Sequence, residues 1–390
     1  MREFFRPLTQ HFFEGWTNRH TASLGSRITS YVEEGEFPEI SDFKIALIGV
    51  KEDRRAFRNS GCSEAPDVIR RHLYDLFEGR WNLPIADLGN IESGNSVDDT
   101  YFALSSVVAE CVKNNCIPVI IGGSQDLTFA NYKAYEQLEQ SVNICSIDSR
   151  FDLGINSEEL SNDTYLSHII LQKPNILFNY SILGFQTYFA HQEEIDLMEG
   201  LHFERYRIGL FHKQIEEAEP ILRDADIVSF DIRSIRHSDA PANKLGSPNG
   251  WYGEEACALA RYAGMSDKLT SFGLFEYNPQ SDRHDQTARL IAQVIWYFIE
   301  GVSVRKNDFP FGDRSTYAKY IVPNPSLGLD LTFYKSDRSG RWWIEIPLNA
   351  GEASIFHQRH ALIPCSYQDY LQAVENEIPD RWLSAFRKLS

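Results

Sequence analysis

The 390-residue chain contains no apolar run of the roughly 18 to 20 residues that a membrane-crossing helix needs. Its opening stretch, MREFFRPLTQHFFEGW, carries scattered charges and no apolar segment ahead of a small-residue cleavage site. It does not read as a signal peptide, so a cytoplasmic location is expected. A basic excess is also missing. The formal net charge is −17, whereas phosphate backbones demand a cationic surface, so nucleic acid is not expected as a main partner. Cysteine is scarce. The six residues Cys62, Cys111, Cys116, Cys145, Cys257 and Cys365 form no CxxC pair and no zinc spacing. They are expected as small buried side chains in a reducing compartment, and Cys145, within a strand pattern, as core rather than nucleophile. Internal repeats and low-complexity tracts are absent.

What the sequence does contain is an alternation of strands and helices. Apolar segments at 43–50, 84–90, 116–123, 141–148, 175–184, 202–208, 225–232 and 269–278 read as strands. Between them, Tyr101, Leu104, Val107, Val108 and Cys111 recur at helical spacing. Ala65-Pro66 opens another helix, where proline loses nothing by lacking an N–H. Helices are also expected over about 126–139, 252–264 and 284–300. Such alternation predicts a three-layer α/β/α domain around a mainly parallel sheet, placed at 42–303. Residues 1–41 read as an N-terminal arm. Residues 304–390 read as a C-terminal α+β extension, with a hairpin in 330–347 and a helix capped by Ser366 and Asp369.

Ligands of a parallel sheet bind beyond the carboxyl ends of its strands. Three segments end strands there: Gly122-Gly123-Ser124-Gln125-Asp126, Asp148-Ser149-Arg150-Phe151-Asp152 and Ser229-Phe230-Asp231-Ile232-Arg233. Glu276 ends a fourth. Asp148, Asp152 and Asp231 suit a hard divalent cation, and a two-metal hydrolase uses such carboxylates, with imidazoles, to activate water. Arg150 and Arg233 are donors only and stay protonated, so they cannot be ligands.

These segments resemble the ureohydrolase superfamily of arginase, agmatinase and formimidoylglutamase. Its marks are Gly-Gly-x-His-Asp, Asp-Ala-His-x-Asp and Ser-x-Asp-x-Asp. The resemblance spans about 43–300 and includes Ala65-Pro66…Ile69-Arg70, Ala86-Asp87-Leu88-Gly89 and Glu276-Tyr277-Asn278-Pro279. Asn162-Asp163-Thr164 looks most like the formimidoylglutamase branch. The resemblance implies two manganese ions on six side chains. Asp148, Asp152 and Asp231 match ligands; Gln125 and Arg150 stand where the family has histidines, and Arg233 where it has an aspartate. Glu276 matches the acidic residue near the substrate's guanidinium or formimino group.

The expectation that follows is a pseudoenzyme. Arg150 and Arg233 would fill the vacated metal positions and pair with the three aspartates. No metal or cofactor is then expected, and Gln125, Asp126, Asp148, Arg150, Asp152, Asp231, Arg233 and Glu276 form a vestigial pocket. Its work would be protein contact, with a partner or a second copy, through aromatic terminal segments carrying Phe4, Phe5, Phe12, Phe13, Trp16, Tyr334, Trp342, Trp343 and Trp382. The opposing expectation is that these aromatics cover the sheet edge and bury their own core. One alternative function is an active C–N hydrolase of linear amidines, with one manganese on Asp148, Asp152 and Asp231. A second is a metal-free small-anion binder using Arg150 or Arg233. Asp126 is either a helix N-cap or a neighbour of the site. His168 reads as a helix-surface or satisfied core residue, His284 as lying in a loop or first helical turn, and His357 with His360 lacks a third metal ligand.

Overall fold

The continuous apolar segments become strands because a residue pair pointing to opposite faces can be buried twice over. The structure, a computed structural model, describes residues 1–9, 12–13, 20–154, 159–309, 314–325, 327–348 and 360–389. The first ten strands are β1 Phe5–Arg6, β2 Thr29–Ser30, β3 Ile45–Lys51, β4 Ile85–Glu92, β5 Ile117–Ile121, β6 Val142–Ile147, β7 Leu177–Phe185, β8 Glu204–Arg207, β9 Ile227–Asp231 and β10 Ser271–Phe275. They form one sheet in the order β1-β4-β3-β5-β10-β9-β6-β7-β8, with β2 also on β4. Every pairing is parallel except that of β1 with β4. The eight strands expected from the sequence are β3 to β10. The two short strands of the arm, β1 and β2, were not anticipated; they cover the β4 edge, which would otherwise offer unpaired backbone to other chains.

Alternate residues of each strand feed two separate cores. Ile45, Leu47, Val119, Ile121, Cys145 and Ile147 face the Ala65–Asp75, Gly253–Gly264 and Gln286–Ser303 helices. Ala46, Ile48, Ile120, Val142 and Ile144 face the Val97–Lys113, Leu127–Glu136 and Tyr165–Leu171 helices. Each fully buried aliphatic side chain contributes about 1.5–3 kcal/mol. All six cysteines are buried and free. No helix among the described residues is long and apolar enough to cross a membrane.

The chain then builds a second sheet, from β11 Tyr317–Asn324, β12 Leu329–Ser336, β13 Trp342–Glu345 and β14 Leu362–Cys365, all antiparallel. The hairpin expected in 330–347 is β12 and β13. Ser366 and Asp369 form the reciprocal cap of the Tyr367–Val374 helix. That helix and Asp380–Leu389 cover one face, around Phe333, Trp342, Ile344 and Trp382. Arg223 fastens this sheet to the first. Its guanidinium lies over the Trp343 ring at 4.4 Å and donates to the carbonyls of Trp342 (3.1 Å) and Cys365 (3.2 Å). Phe5, Phe12, Tyr334, Trp342, Trp343 and Trp382 are all buried inside the chain. Trp16 and His357 lie outside the described residues. His360 is buried, stacks on Phe178 and bonds Ser141 Oγ at 3.0 Å.

Candidate active site

Sheet order gathers the motifs. β5, β10, β9 and β6 are consecutive neighbours, so Gln125, Glu276, Asp231 and Asp148 leave four adjacent strand ends. Gly123 is required where β5 ends: a Cβ there would meet the Glu52 carbonyl oxygen at 2.0 Å. Oxygens of Asp148, Asp152 and Asp231 lie within 4.8 Å of one another, and all three residues are buried.

Arg233 enters this cluster. Its Nε contacts Asp231 Oδ2, and its terminal nitrogens reach Asp163 Oδ1 at 2.8 Å, Asp152 Oδ2 at 3.4 Å and Gln125 Oε1 at 3.4 Å. Its backbone N–H also donates to Asp231 Oδ1 at 2.6 Å. The Gln125 amide nitrogen in turn donates to the Tyr165 hydroxyl (3.3 Å) and Ser229 Oγ (3.4 Å). Burial, with Asp148 beside it, pushes the Asp152 carboxyl well above the usual range, and burial does the same to Asp231; Arg233 opposes both shifts. Arg233 itself is held firmly protonated by these carboxylates, against the cost of burial.

Arg150 does not enter, contrary to expectation. Its backbone N–H donates to Asp148 Oδ1 at 3.0 Å, but its guanidinium turns outward over the Phe189 ring at 4.2 Å. Phe189 offers this guanidinium a stacking surface outside the cluster. Asp148 Oδ2 is buried and has no hydrogen-bond partner.

Glu276 is fully buried and held by amides. Oε1 accepts from the Gln125 backbone (2.9 Å) and Asn162 Nδ2 (3.1 Å), and Oε2 from Asn59 Nδ2 (2.8 Å). Burial raises its pKa, against Arg233 and these donors. Asp152 (φ 52°) and Glu276 (φ 72°) both adopt left-handed backbone, strain of a kind that collects at functional sites. Asp126 precedes the Leu127–Glu136 helix without a side-chain cap bond. Its carboxylate instead takes the Tyr101 hydroxyl, and burial pushes its pKa up to about 6. His168 is partly buried, edge-on to Phe129. His284 lies just before the Gln286–Ser303 helix.

Sequence reasoning missed Asn59, and it took Asp163 only as a mark of a branch. Asn59 has no local signal, because its partner is 217 positions away. The Asn162-Asp163 pair was visible as a motif, but not that it supplies a bond to Glu276 and an ion pair to Arg233.

The sequence pattern of the arginase family matches residues 43–300. The chain belongs to the arginase family. The match holds the whole strand-end cluster and leaves both terminal segments outside. Among arginase-family relatives, the formimidoylglutamase of Streptococcus gordonii is 27% identical over 292 residues, covering 67% of this chain and 85% of its own. That of Vibrio vulnificus is 25% identical, covering 74% and 96%. The fold also matches Trypanosoma cruzi formiminoglutamase with Mn2+2, at TM-score 0.63 and 20% identity, over 69% of this chain and 96% of that one. Formimidoylglutamase from Bacillus subtilis matches at TM-score 0.61 and 20% identity, over 71% and 95%.

Proposed function

We propose that this arginase-family chain keeps the hydrolase fold but has exchanged its dinuclear metal centre for an internal cation, Arg233, and works by contact with other proteins. The observation that carries this reading is the bonding of one guanidinium to Asp231, Asp152 and Asp163 together. Two divalent ions need about six donor side chains between them. Here Gln125 offers a carbonyl already accepting from Arg233, and Arg150 and Arg233 offer none. The donor set does not fit two manganese ions. The contact surface of this proposal lies outside the family match, on the C-terminal sheet and its helices. Exposed Ile321, Tyr367 and Val374 are there, whereas Tyr334, Trp342, Trp343 and Trp382 are buried.

Specific observations favour a second reading, hydrolysis of a C–N bond in a linear amidine. The relatives are formimidoylglutamases matched over most of their length. The three aspartates can converge on one hard cation, and Asp148 keeps an unpartnered oxygen. The comparisons with relatives favour this second reading, and the donor set favours the first. One ion would have to displace Arg233 from Asp231 and Asp152.

Metal analysis of the purified chain, with an assay for formamide or urea release from formimino and guanidino substrates, separates them. The first reading expects no bound manganese after exposure to excess ion, and no release. Stoichiometric manganese with turnover sinks it and establishes the second. As a positive control, Gln125→His, Arg150→His and Arg233→Asp combined should gain manganese.

A further inference from the structure

Two adjoining clefts open beside the aspartate cluster. The larger, of about 860 Å³, lies between the loop after β3 and the segment before the Tyr165–Leu171 helix; Arg55, Phe57, Arg58, Phe129 and Glu159 line it. The smaller, of about 410 Å³, is lined by Phe57, Arg150, Asp163, Phe189 and Glu194. Phe57 and Ser161 line both, so the two adjoin at these residues as the arms of one trough. Their sizes are those of small-molecule sites.

The charges lining the trough differ in whether they are already matched. Asp152 and Asp163 hold Arg233, and Glu194 accepts the His191 backbone N–H at 2.9 Å. Arg54 is taken by Glu52, through Nε to Oε1 at 2.9 Å. The remaining arginines are matched weakly or by aromatic faces alone. Arg58 lies over Phe57 at 4.7 Å, and Arg150 over Phe189 at 4.2 Å. Among the described residues neither has a carboxylate partner. Arg55 sits over Tyr101 at 5.3 Å, and meets only Asp98, at 3.9 Å and 84% exposed. Against these three guanidiniums stand, among the described residues, two lining carboxylates without an ion pair, Glu159 and Glu194. Guanidiniums left without a close carboxylate stand out in a chain whose net charge is −17.

An arginine stacked on a ring keeps its edge N–H groups free, in the fork that fits a phosphate. Phe57 lines both trough arms and is 50% exposed, so part of its ring is open to a ligand. We propose that the trough binds a nucleoside polyphosphate, its phosphates on Arg58 and Arg150 and its base against Phe57 and Phe129. This does not depend on whether the aspartate cluster holds an ion.

Calorimetric titration of the full chain with ATP and with inorganic pyrophosphate, both in chelator, tests it. ATP should bind, and pyrophosphate at least about tenfold more weakly, since it lacks the ring. Arg58→Ser and Arg150→Gln should each weaken ATP by about tenfold or more, a charge-assisted contact being lost, with circular dichroism unchanged. Arg236→Ser, which removes a guanidinium stacked on Tyr252 outside the trough, should leave binding intact. Absent ATP binding, binding indifferent to Arg58 and Arg150, or equal loss in the Arg236 variant overturns the proposal. Equal affinity for pyrophosphate overturns its nucleoside part.

Discussion

The guanidinium of Arg233 meets the carboxylate of Asp152, 81 positions earlier in the chain, at 3.4 Å, with both side chains 2% exposed. Removing one partner of such a pair leaves a buried charge uncompensated. Arg233→Ala is therefore expected to cost about 3–5 kcal/mol in urea denaturation. In that variant the aspartates are released to a cation, so Mn2+ should raise its melting temperature while leaving the parent unchanged. A parent that gains as much from Mn2+ would contradict the assignment of Arg233 as the resident cation.

Glu276 accepts from Gln125, Asn162 and Asn59, a set of donors with no acceptor among them. Glu276→Gln has nearly the same shape but turns an NH2 toward those donors. A loss of about 1–3 kcal/mol is expected, since a buried donor goes unpaired. A change within about 0.5 kcal/mol would show that the amides simply reorient.

Arg223 joins the two sheets through carbonyls of Trp342 and Cys365 and the face of Trp343. Arg223→Met keeps much of the volume and loses the donors. The expected result is early protease cleavage between the Gln286–Ser303 helix and β11 and a loss of about 2–4 kcal/mol, with the Gly253–Gly264 helix region cleaved no faster. Simultaneous cleavage throughout would mean the two sheets unfold as one unit.

Lys388 lies over the Phe203 ring at 5.3 Å, with its ammonium on the Asn179 carbonyl oxygen. Burial lowers its pKa to about 8, though Glu204 and Asp224 oppose this. The unfolded side chain titrates near the ordinary 10.5. Between those values the folded state binds fewer protons than the unfolded one, so this group makes stability rise with pH; below about 8 its full penalty is present. Lys388→Met should be favoured most near pH 7, and its advantage should shrink through that window. A stability difference flat with pH would refute the assignment.

Much of the fold was legible because it is written locally. Apolar runs gave β3 to β7, β9 and β10, Ala65-Pro66 opened a helix, and Ser366 with Asp369 capped another. The strands β1 and β2, two residues each, carry too little pattern to be seen; their pairing depends on the β4 edge being open. β11 was missed because its burial alternates irregularly and Pro323 interrupts it.

The site divides in the same way. Residue identity alone determined that Asp148, Asp152 and Asp231 suit a cation, and that Arg150 and Arg233 cannot bind one, because donor and acceptor chemistry belongs to the side chain. It did not determine which arginine goes in. Both follow an aspartate by two positions, and both donate a backbone N–H to it. Only the tertiary structure places Asp163 and Gln125 within reach of Arg233, and Phe189 beneath Arg150. A buried guanidinium goes where several acceptors converge, and that convergence is a property of four neighbouring strand ends, not of any one segment.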